Sequence, residues 1–193
     1  MRVLVACEFS GTVREAFAAL GHDAWSCDLL PTERPGQHIQ GDALAVLGDG
    51  WDLMVAHPPC TYLTVSGNKW MRPEFAERFP GRAGQREDAA AFFLALYNAP
   101  IPRVAVENPI GVMSSRFRKP DQVIQPWMFG HGEVKATCLW LRGLQPLIPT
   151  HREEPDLFAA VAPAERTGRT HRPTAPTDCT AFRPPPTAGS CGV

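Results

Sequence analysis

One stretch of the chain constrains the fold more than any other: a short apolar segment that runs directly into two prolines and a cysteine. Leu53 to Ala56 form the apolar segment, which predicts a buried strand. Pro58 and Pro59 cannot continue a central strand, because proline lacks an N–H group and has a fixed φ. The strand therefore ends there and leaves Cys60 just beyond the edge at which open α/β sheets bind ligands. Cys60 is either a buried apolar residue or a reactive thiol, and its position alone leaves both roles open.

Acidic residues follow other strand-like segments. Glu8 comes after Arg2 to Ala6, Asp28 comes after His22 to Cys27, and Asp42 ends a third unit. A carboxylate at the end of a strand can accept hydrogen bonds from ribose hydroxyls or from an adenine amino group. Each acid alone is more often a solvated loop residue or a helix cap. Three in succession favour a nucleoside-type site.

The remaining segments alternate between helix and strand patterns. Val13 to Leu20 is amphipathic and Glu87 to Asn98 is rich in alanine and apolar residues, so both predict helices. Thr61 to Arg86 has no sustained periodicity and predicts a long loop, which in a compact domain is usually functional or disordered. Arg103 to Val106 predicts a buried strand that ends at Glu107. Later strands are predicted at Asp121 to Gln125 and at Thr137 to Leu141.

The composition limits the classes to which the protein can belong. With 193 residues, 44% of them hydrophobic, the chain is long enough for one domain with a full core. A formal net charge of -1 gives no overall attraction to nucleic acid, so such a partner needs a local basic patch. The six cysteines follow no CxxC or metal-ligand spacing, so we expect reduced thiols, a cytoplasmic protein and no metal site. Neither a signal peptide nor a membrane span is predicted.

The composition changes near the end of the chain. Residues 151–193 are rich in Pro, Ala, Thr and Arg, with almost no apolar periodicity from Ala162 onwards. Such a segment buries too little apolar surface to offset the entropy lost on ordering. We therefore expect a folded domain over residues 1–150 and a mobile or loosely packed tail over residues 151–193.

Taken in order, these residues resemble the motifs of the DNA cytosine-5 methyltransferase family. In length the chain resembles the small phage or prophage members of that family. Glu8-Phe9-Ser10-Gly11 is similar to the family's first motif, which holds S-adenosylmethionine. Asp28 and Asp42 stand where the family places acids for the ribose and adenine of that cofactor. The resemblance implies a doubly wound, Rossmann-like α/β sheet. It also implies a cofactor site built from these residues and Pro58.

The second half of the resemblance concerns the substrate. Pro58-Pro59-Cys60 is similar to the motif of the catalytic nucleophile, and Glu107-Asn108 to the motif that grips the target cytosine. The resemblance implies covalent catalysis by Cys60, assisted by Glu107, on a cytosine flipped out of DNA. The loop after Cys60 is the expected lid. The implied substrate contacts are Asn108, Lys135, Lys69 and Arg72.

Two alternatives remain open. Amino-methyltransferases carry a Pro-Pro-aromatic motif at the same strand end, whereas this chain has a cysteine at that place. A non-catalytic relative that binds DNA or the cofactor is the other alternative, because residues 151–193 contain no evident target-recognition domain. The family's motif arginines also appear here as Lys135 and Thr137. A zinc deaminase is not favoured, since Cys60 has no second cysteine three residues on.

Overall fold

The computed structural model describes residues 1–151. The predicted tail lies outside the described residues apart from His151, so its character remains a prediction, as does the domain boundary near residue 150. Within the described part, none of the helices is long and apolar enough to cross a membrane.

Seven strands form one sheet in the described part of the chain. Their order across the sheet is β3-β2-β1-β4-β5-β7-β6. Neighbours from β3 to β5 pair in parallel, whereas β7 is antiparallel to both β5 and β6. The strands are β1 (Arg2–Ala6), β2 (Asp23–Asp28), β3 (His38–Gln40), β4 (Leu53–Ala56), β5 (Arg103–Pro109), β6 (Gln122–Ile124) and β7 (Thr137–Arg142).

The helices differ from the predicted ones mainly at one boundary. The α-helices are α1 (Thr12–Ala19), α2 (Arg82–Tyr97) and α3 (Met113–Arg116), and short 3-10 helices span Ala43–Val46, Val65–Met71, Pro73–Phe75 and Pro126–Phe129. The predicted start of the second helix at Glu87 is wrong, because α2 begins five residues earlier, at Arg82, after Gly81 in the left-handed conformation. That first turn lacks large apolar residues, so periodicity does not detect it. The predicted loop from Thr61 to Arg86 therefore contains two 3-10 helices and the start of α2.

The two long helices pack on opposite faces of the sheet. Phe93 of α2 belongs to the large core cluster with Leu4 and Met54. Phe17 of α1 packs against the smaller cluster, which contains Val3 and Leu53. These two residues are adjacent in sequence to Leu4 and Met54 of the large cluster. Because successive side chains of a strand point to opposite faces, the two clusters cover the two sides of one sheet. This arrangement confirms the predicted doubly wound, Rossmann-like α/β fold.

The strand order places a ligand crevice at the centre of the sheet. β1 lies between β2 and β4, so the chain winds in opposite directions from the gap between β1 and β4. Ligands of open α/β sheets bind at the carboxyl ends of the strands that flank such a reversal. The segments that follow these two strands begin at Cys7 and His57, and Cys60 follows three residues later. The predicted place of Cys60, just beyond the end of a buried strand, is confirmed.

Candidate active site

The turn after β1 is held in one conformation by its neighbours. The N–H groups of Cys7 and Glu8 both donate to the carbonyl of Cys27 in β2, at 2.8 and 3.2 Å. Cys7 adopts a φ of 59° and Gly11 a φ of 73°. A side chain on Gly11 would also meet the Arg14 guanidinium, so this position requires glycine. The predicted first-motif residues therefore form a rigid bend at the edge of the sheet.

Glu8 is buried and caps helix α1. One of its carboxylate oxygens accepts hydrogen bonds from the Val13 N–H at 2.6 Å and the Ser10 hydroxyl at 3.2 Å. The other oxygen accepts from the Arg14 N–H at 3.2 Å. A carboxylate at the N-terminal end of a helix accepts hydrogen bonds from amides that have no partner within the helix. The positive end of the helix dipole also stabilises its negative charge. Glu8 thus shapes the turn, and its predicted contact with a cofactor remains a prediction.

A cavity of about 240 Å³ lies between this turn and the end of β4. It is lined by Cys7, Glu8, Phe9, Ser10, Thr12, Val13 and His57. Three of the residues predicted to bind a cofactor therefore lie in one cavity wall. His57, which directly follows β4, forms another part of the wall. It was not predicted from the sequence to belong to a cofactor site.

Asp28 and Asp42 extend the site along the sheet edge. One oxygen of Asp28 accepts from the Leu30 N–H at 3.0 Å, and one of Asp42 accepts from the Leu44 N–H at 2.9 Å. No donor in residues 1–151 reaches the second oxygen of either carboxylate. Neither acid lines the cavity, but both lie close enough to the cavity-lining Cys7 for their charges to raise its pKa. Two carboxylates with a spare acceptor each at this place fit a nucleoside with hydroxyl and amino donors. The residues present therefore fit the cofactor that the resemblance implies.

The two acids also influence the neighbouring thiols. Burial first, and the charges of Asp28 and Asp42 after it, raise the pKa of Cys7 well above its ordinary range. The same causes raise the pKa of Cys27 to about 11. Both thiols are therefore protonated near neutral pH, and neither is suited to act as a nucleophile.

We accordingly expect Cys7 and Cys27 to resist alkylation in the native protein. Iodoacetamide at about pH 8 reacts with the thiolate form, which burial suppresses at both positions. Peptide mass spectrometry before and after unfolding in guanidinium chloride measures the labelling of each cysteine. Labelling of either thiol at the same rate in native and unfolded protein would contradict the assignment.

The residues after β4 lie in register with those at the end of β5. The paired strands bring Ala56 opposite Val106, so His57 and Glu107 occupy the next equivalent positions. The side-chain amide of Asn108 donates to the carbonyl of Pro58 at 3.0 Å. Asn108 is only 1% exposed, and its side-chain oxygen has no hydrogen-bond partner in the described part of the chain. The structure thus joins the two predicted motifs through a buried amide, which positions Asn108 behind the Pro-Pro-Cys turn.

His57 and Glu107 form a close pair. His57 Nδ1 lies 3.3 Å from Glu107 Oε2, with about a quarter of each side chain exposed (29% and 25%). His57 Nε2 is buried and lacks a partner among residues 1–151. Glu107 is a site residue predicted from the sequence, whereas the histidine beside it was not predicted.

Cys60 begins a tight turn and is half-buried. Its carbonyl accepts from the N–H groups of Leu63 and Thr64, at 2.9 and 3.0 Å. The segment is then joined to the chain after β5, because the Val112 N–H donates to the Leu63 carbonyl at 2.8 Å. The backbone at Cys60 is therefore fixed from both sides. The reaction of its sulfur with a substrate remains a prediction.

A buried arginine, Arg86, secures the segment beyond Cys60. It donates to the Tyr62 carbonyl at 2.9 Å and to the Asn68 side-chain oxygen at 2.8 Å. Burial is the main cause that lowers the pKa of this guanidinium below its ordinary value. Arg86 was not among the residues predicted to form the site. The sequence indicates the burial of Arg86 only through its helical spacing from Ala90 and Phe93, which places the three residues on one face of α2.

The predicted basic contacts are exposed. Lys69 Nζ lies 4.4 Å from the centre of the Trp70 ring, and Arg72 pairs with Glu74 at 3.7 Å. Lys135 is exposed in the segment that precedes β7. Their contacts with a nucleic acid remain predictions.

The chain has weak structural likenesses to known methyltransferases. No protein-family model and no curated protein matches the chain. A structure described as a DNA modification methyltransferase encoded within a prophage of E. coli has 13% identity and a TM-score of 0.45, covering 73% of this chain and 46% of its own. The S. pombe Dnmt2 methyltransferase has 14% identity and a TM-score of 0.44, covering 76% of this chain and 50% of its own. The chain thus spans about half the length of these structures. Likenesses this weak carry no argument, and the fold assignment rests on the strand order and register.

Proposed function

We propose that the protein transfers a methyl group from S-adenosylmethionine to C5 of cytosine in DNA, with Cys60 as the covalent nucleophile. The observation that supports this proposal most is the junction of the two strand ends. Asn108 donates to the carbonyl of Pro58 within a buried hydrogen bond, so Glu107 and the Pro-Pro-Cys turn belong to one site. A thiol and a carboxyl at one site suit the activation of a pyrimidine ring.

The ring must be activated because C5 of cytosine is a poor nucleophile. In the proposed reaction the Cys60 thiolate adds to C6, which forms an S–C6 bond and makes C5 electron-rich. Glu107 delivers a proton to N3 and so neutralises the negative charge that the addition puts on the ring. Methyl transfer to C5 would break the S–CH3 bond of the sulfonium and leave the donor as the neutral thioether S-adenosylhomocysteine, and C5 would then lose its proton to water. The S–C6 bond then breaks, and N3 returns its proton to Glu107.

The turn after β1 and the neighbouring acids are the proposed cofactor site. S-adenosylmethionine, when bound, supplies an electrophilic methyl group on its sulfonium. The cavity wall formed by Phe9 and Ser10 would hold it beside His57, and the spare oxygens of Asp28 and Asp42 would accept its hydroxyl and amino donors.

The proposed substrate is a cytosine flipped out of DNA. A base within a duplex cannot reach a thiol that lies in a sheet-edge crevice, so it must leave the stack. The segment after Cys60, anchored by Arg86, is the proposed cover of the site. Lys69, Arg72 and Lys135 are the proposed phosphate or base contacts, and they are exposed as such contacts require.

Methyl transfer to DNA tests this proposal directly. The protein is incubated with duplex DNA of mixed sequence and S-adenosylmethionine that carries an isotopically labelled methyl group. We expect labelled 5-methylcytosine on mass spectrometry of the nucleosides. Label on the exocyclic nitrogen of cytosine or adenine would instead favour an amino-methyltransferase. Absence of label, together with no heat of cofactor binding in calorimetry, would favour a non-catalytic relative.

A further inference from the structure

His57 belongs to both halves of the site. It lines the cavity formed by the turn after β1, and its Nδ1 lies 3.3 Å from Glu107 Oε2. We propose that His57 is a positioning residue, which holds the Glu107 carboxyl in place while that group exchanges a proton with the pyrimidine ring. This inference rests on the proposed function.

The backbone fixes His57 on both sides. Its N–H donates to the Ala6 carbonyl at 2.9 Å, which continues the pairing of β4 with β1 by one residue. Pro58 follows directly and is buried, and its ring restricts the conformation of His57 as well as its own. Pro58 is in turn held by the Asn108 amide. The imidazole therefore projects from a rigid point beside the end of β5.

The pairing defines which ring nitrogen acts on Glu107. In the proposed arrangement His57 Nδ1 carries its proton and donates to Oε2, while the proton that Glu107 gives to N3 lies on Oε1. This hydrogen bond occupies one carboxylate oxygen and leaves the other for the substrate. His57 Nε2 is buried and has no partner in the described residues, so the ring is held by the Glu107 contact and its packing alone. The half-buried position of the pair limits screening by water.

The hydrogen bond between His57 and Glu107 affects the proton transfer in the proposed chemistry. When Glu107 gives its proton to N3 of cytosine, the carboxyl becomes a carboxylate. A donor already aimed at that carboxylate stabilises the charge without reorganisation at the moment of transfer. Without His57 the carboxyl would keep its chemistry but lose its fixed orientation. The rate of ring activation would then fall although DNA binding is unchanged.

Ring activation can be measured without any methyl donor. DNA that carries tritium at C5 of cytosine is incubated with the protein alone. Addition of Cys60 to C6, with the Glu107 proton passing to N3, allows C5 to gain a proton from water and to lose its triton. The S–C6 bond then breaks and the ring is restored. Tritium released to water therefore reports the step in which Glu107 moves a proton.

We expect His57→Ala to lower the rate of tritium release at saturating DNA by roughly tenfold to a hundredfold, which is the effect of losing one hydrogen bond to a charged group. The DNA concentration at half-saturation should stay within about threefold of native. His57→Asn places an amide N–H near the position of Nδ1 and should restore most of the rate. His22→Ala and His22→Asn, at the opposite edge of the sheet before β2, serve as matched controls and should match the native rate.

Thermal melting of each variant separates this role from a structural one. Release by His57→Ala at the native rate would overturn the inference. Equal losses in His57→Ala and His57→Asn, accompanied by lower melting temperatures in both, would also overturn it. If the native protein releases no tritium and forms no covalent adduct with DNA, the proposed function itself fails and the inference fails with it.

Discussion

In the Cys60→Ala variant we expect complete loss of the covalent adduct that the native protein forms with DNA containing 5-fluorocytosine. Fluorine at C5 cannot leave as a proton, so the ring stays saturated once C5 has been methylated. The S–C6 bond then cannot break, and the protein remains attached to the DNA. Alanine has no thiol with which to form that bond. Adducts that survive denaturing electrophoresis, followed with native and variant protein in the presence of S-adenosylmethionine, measure the effect.

The matched control for this prediction is Cys27→Ala. Cys27 is buried in β2, and its high pKa makes it a poor nucleophile. We expect this variant to form the adduct as the native protein does. An adduct with Cys60→Ala would show that another residue supplies the nucleophile. No adduct with the native protein would remove the support for a covalent mechanism altogether.

Of the strands that carry the site, β1 and β4 were predictable, whereas the predicted end of β5 at Glu107 is wrong, because antiparallel pairing with β7 continues that strand to Pro109. β1 has the predicted bounds of Arg2–Ala6, and β4 ends just before the two prolines. Both strands are buried on two faces, so they appear in the sequence as continuous apolar runs with abrupt ends. β3 (His38–Gln40) has only three residues, which is too short for a recognisable pattern. The sequence therefore predicted only a unit that ends at Asp42.

The contact between His57 and Glu107 could not be predicted from one sequence. The two residues are 50 positions apart, and their contact depends on the alignment of β4 with β5. That alignment joins strands separated in the sequence by a long segment that includes α2, so no local pattern specifies it. The ends of β1 and β4 could therefore be predicted from residue types, whereas the residues that face each other across neighbouring strands could not.

The burial of an arginine side chain is a second feature that residue patterns do not predict. Arg14 is 2% exposed, and its guanidinium donates to Ser26 and Thr32 at 3.0 and 3.2 Å and to the carbonyls of Arg34 and Pro35, each at 3.0 Å. A charged residue in an amphipathic helix is expected on the solvent face. Here the loop after β2 folds over the side chain and supplies acceptors for it. The burial results from tertiary contacts, so helical periodicity assigns such a residue to the wrong face.

Gly111 holds together the two chain segments that follow β4 and β5. It pairs with Thr64 across an isolated antiparallel bridge. On either side of this bridge, the Val65 N–H donates to the Ile110 carbonyl at 3.2 Å and the Val112 N–H donates to the Leu63 carbonyl at 2.8 Å. A Cβ at Gly111 would overlap the Leu63 carbonyl oxygen, which is a backbone atom that cannot rotate away. Any side chain at this position must therefore separate the two segments.

We expect Gly111→Ala to lower the free energy of unfolding by about 2–3 kcal/mol, a typical cost of forcing extra atoms into a packed region. It should also displace Cys60, because the carbonyl of Leu63 is only three residues away and Leu63 itself is fully buried in the core. Urea unfolding measures the stability, and adduct formation at a temperature where the variant is folded measures the displacement. Gly48→Ala is the matched control, since a Cβ there meets open space and should change stability by less than about 0.5 kcal/mol. If Gly111→Ala unfolds at the native urea concentration and traps DNA at the native rate, the two segments are not held together in the way described.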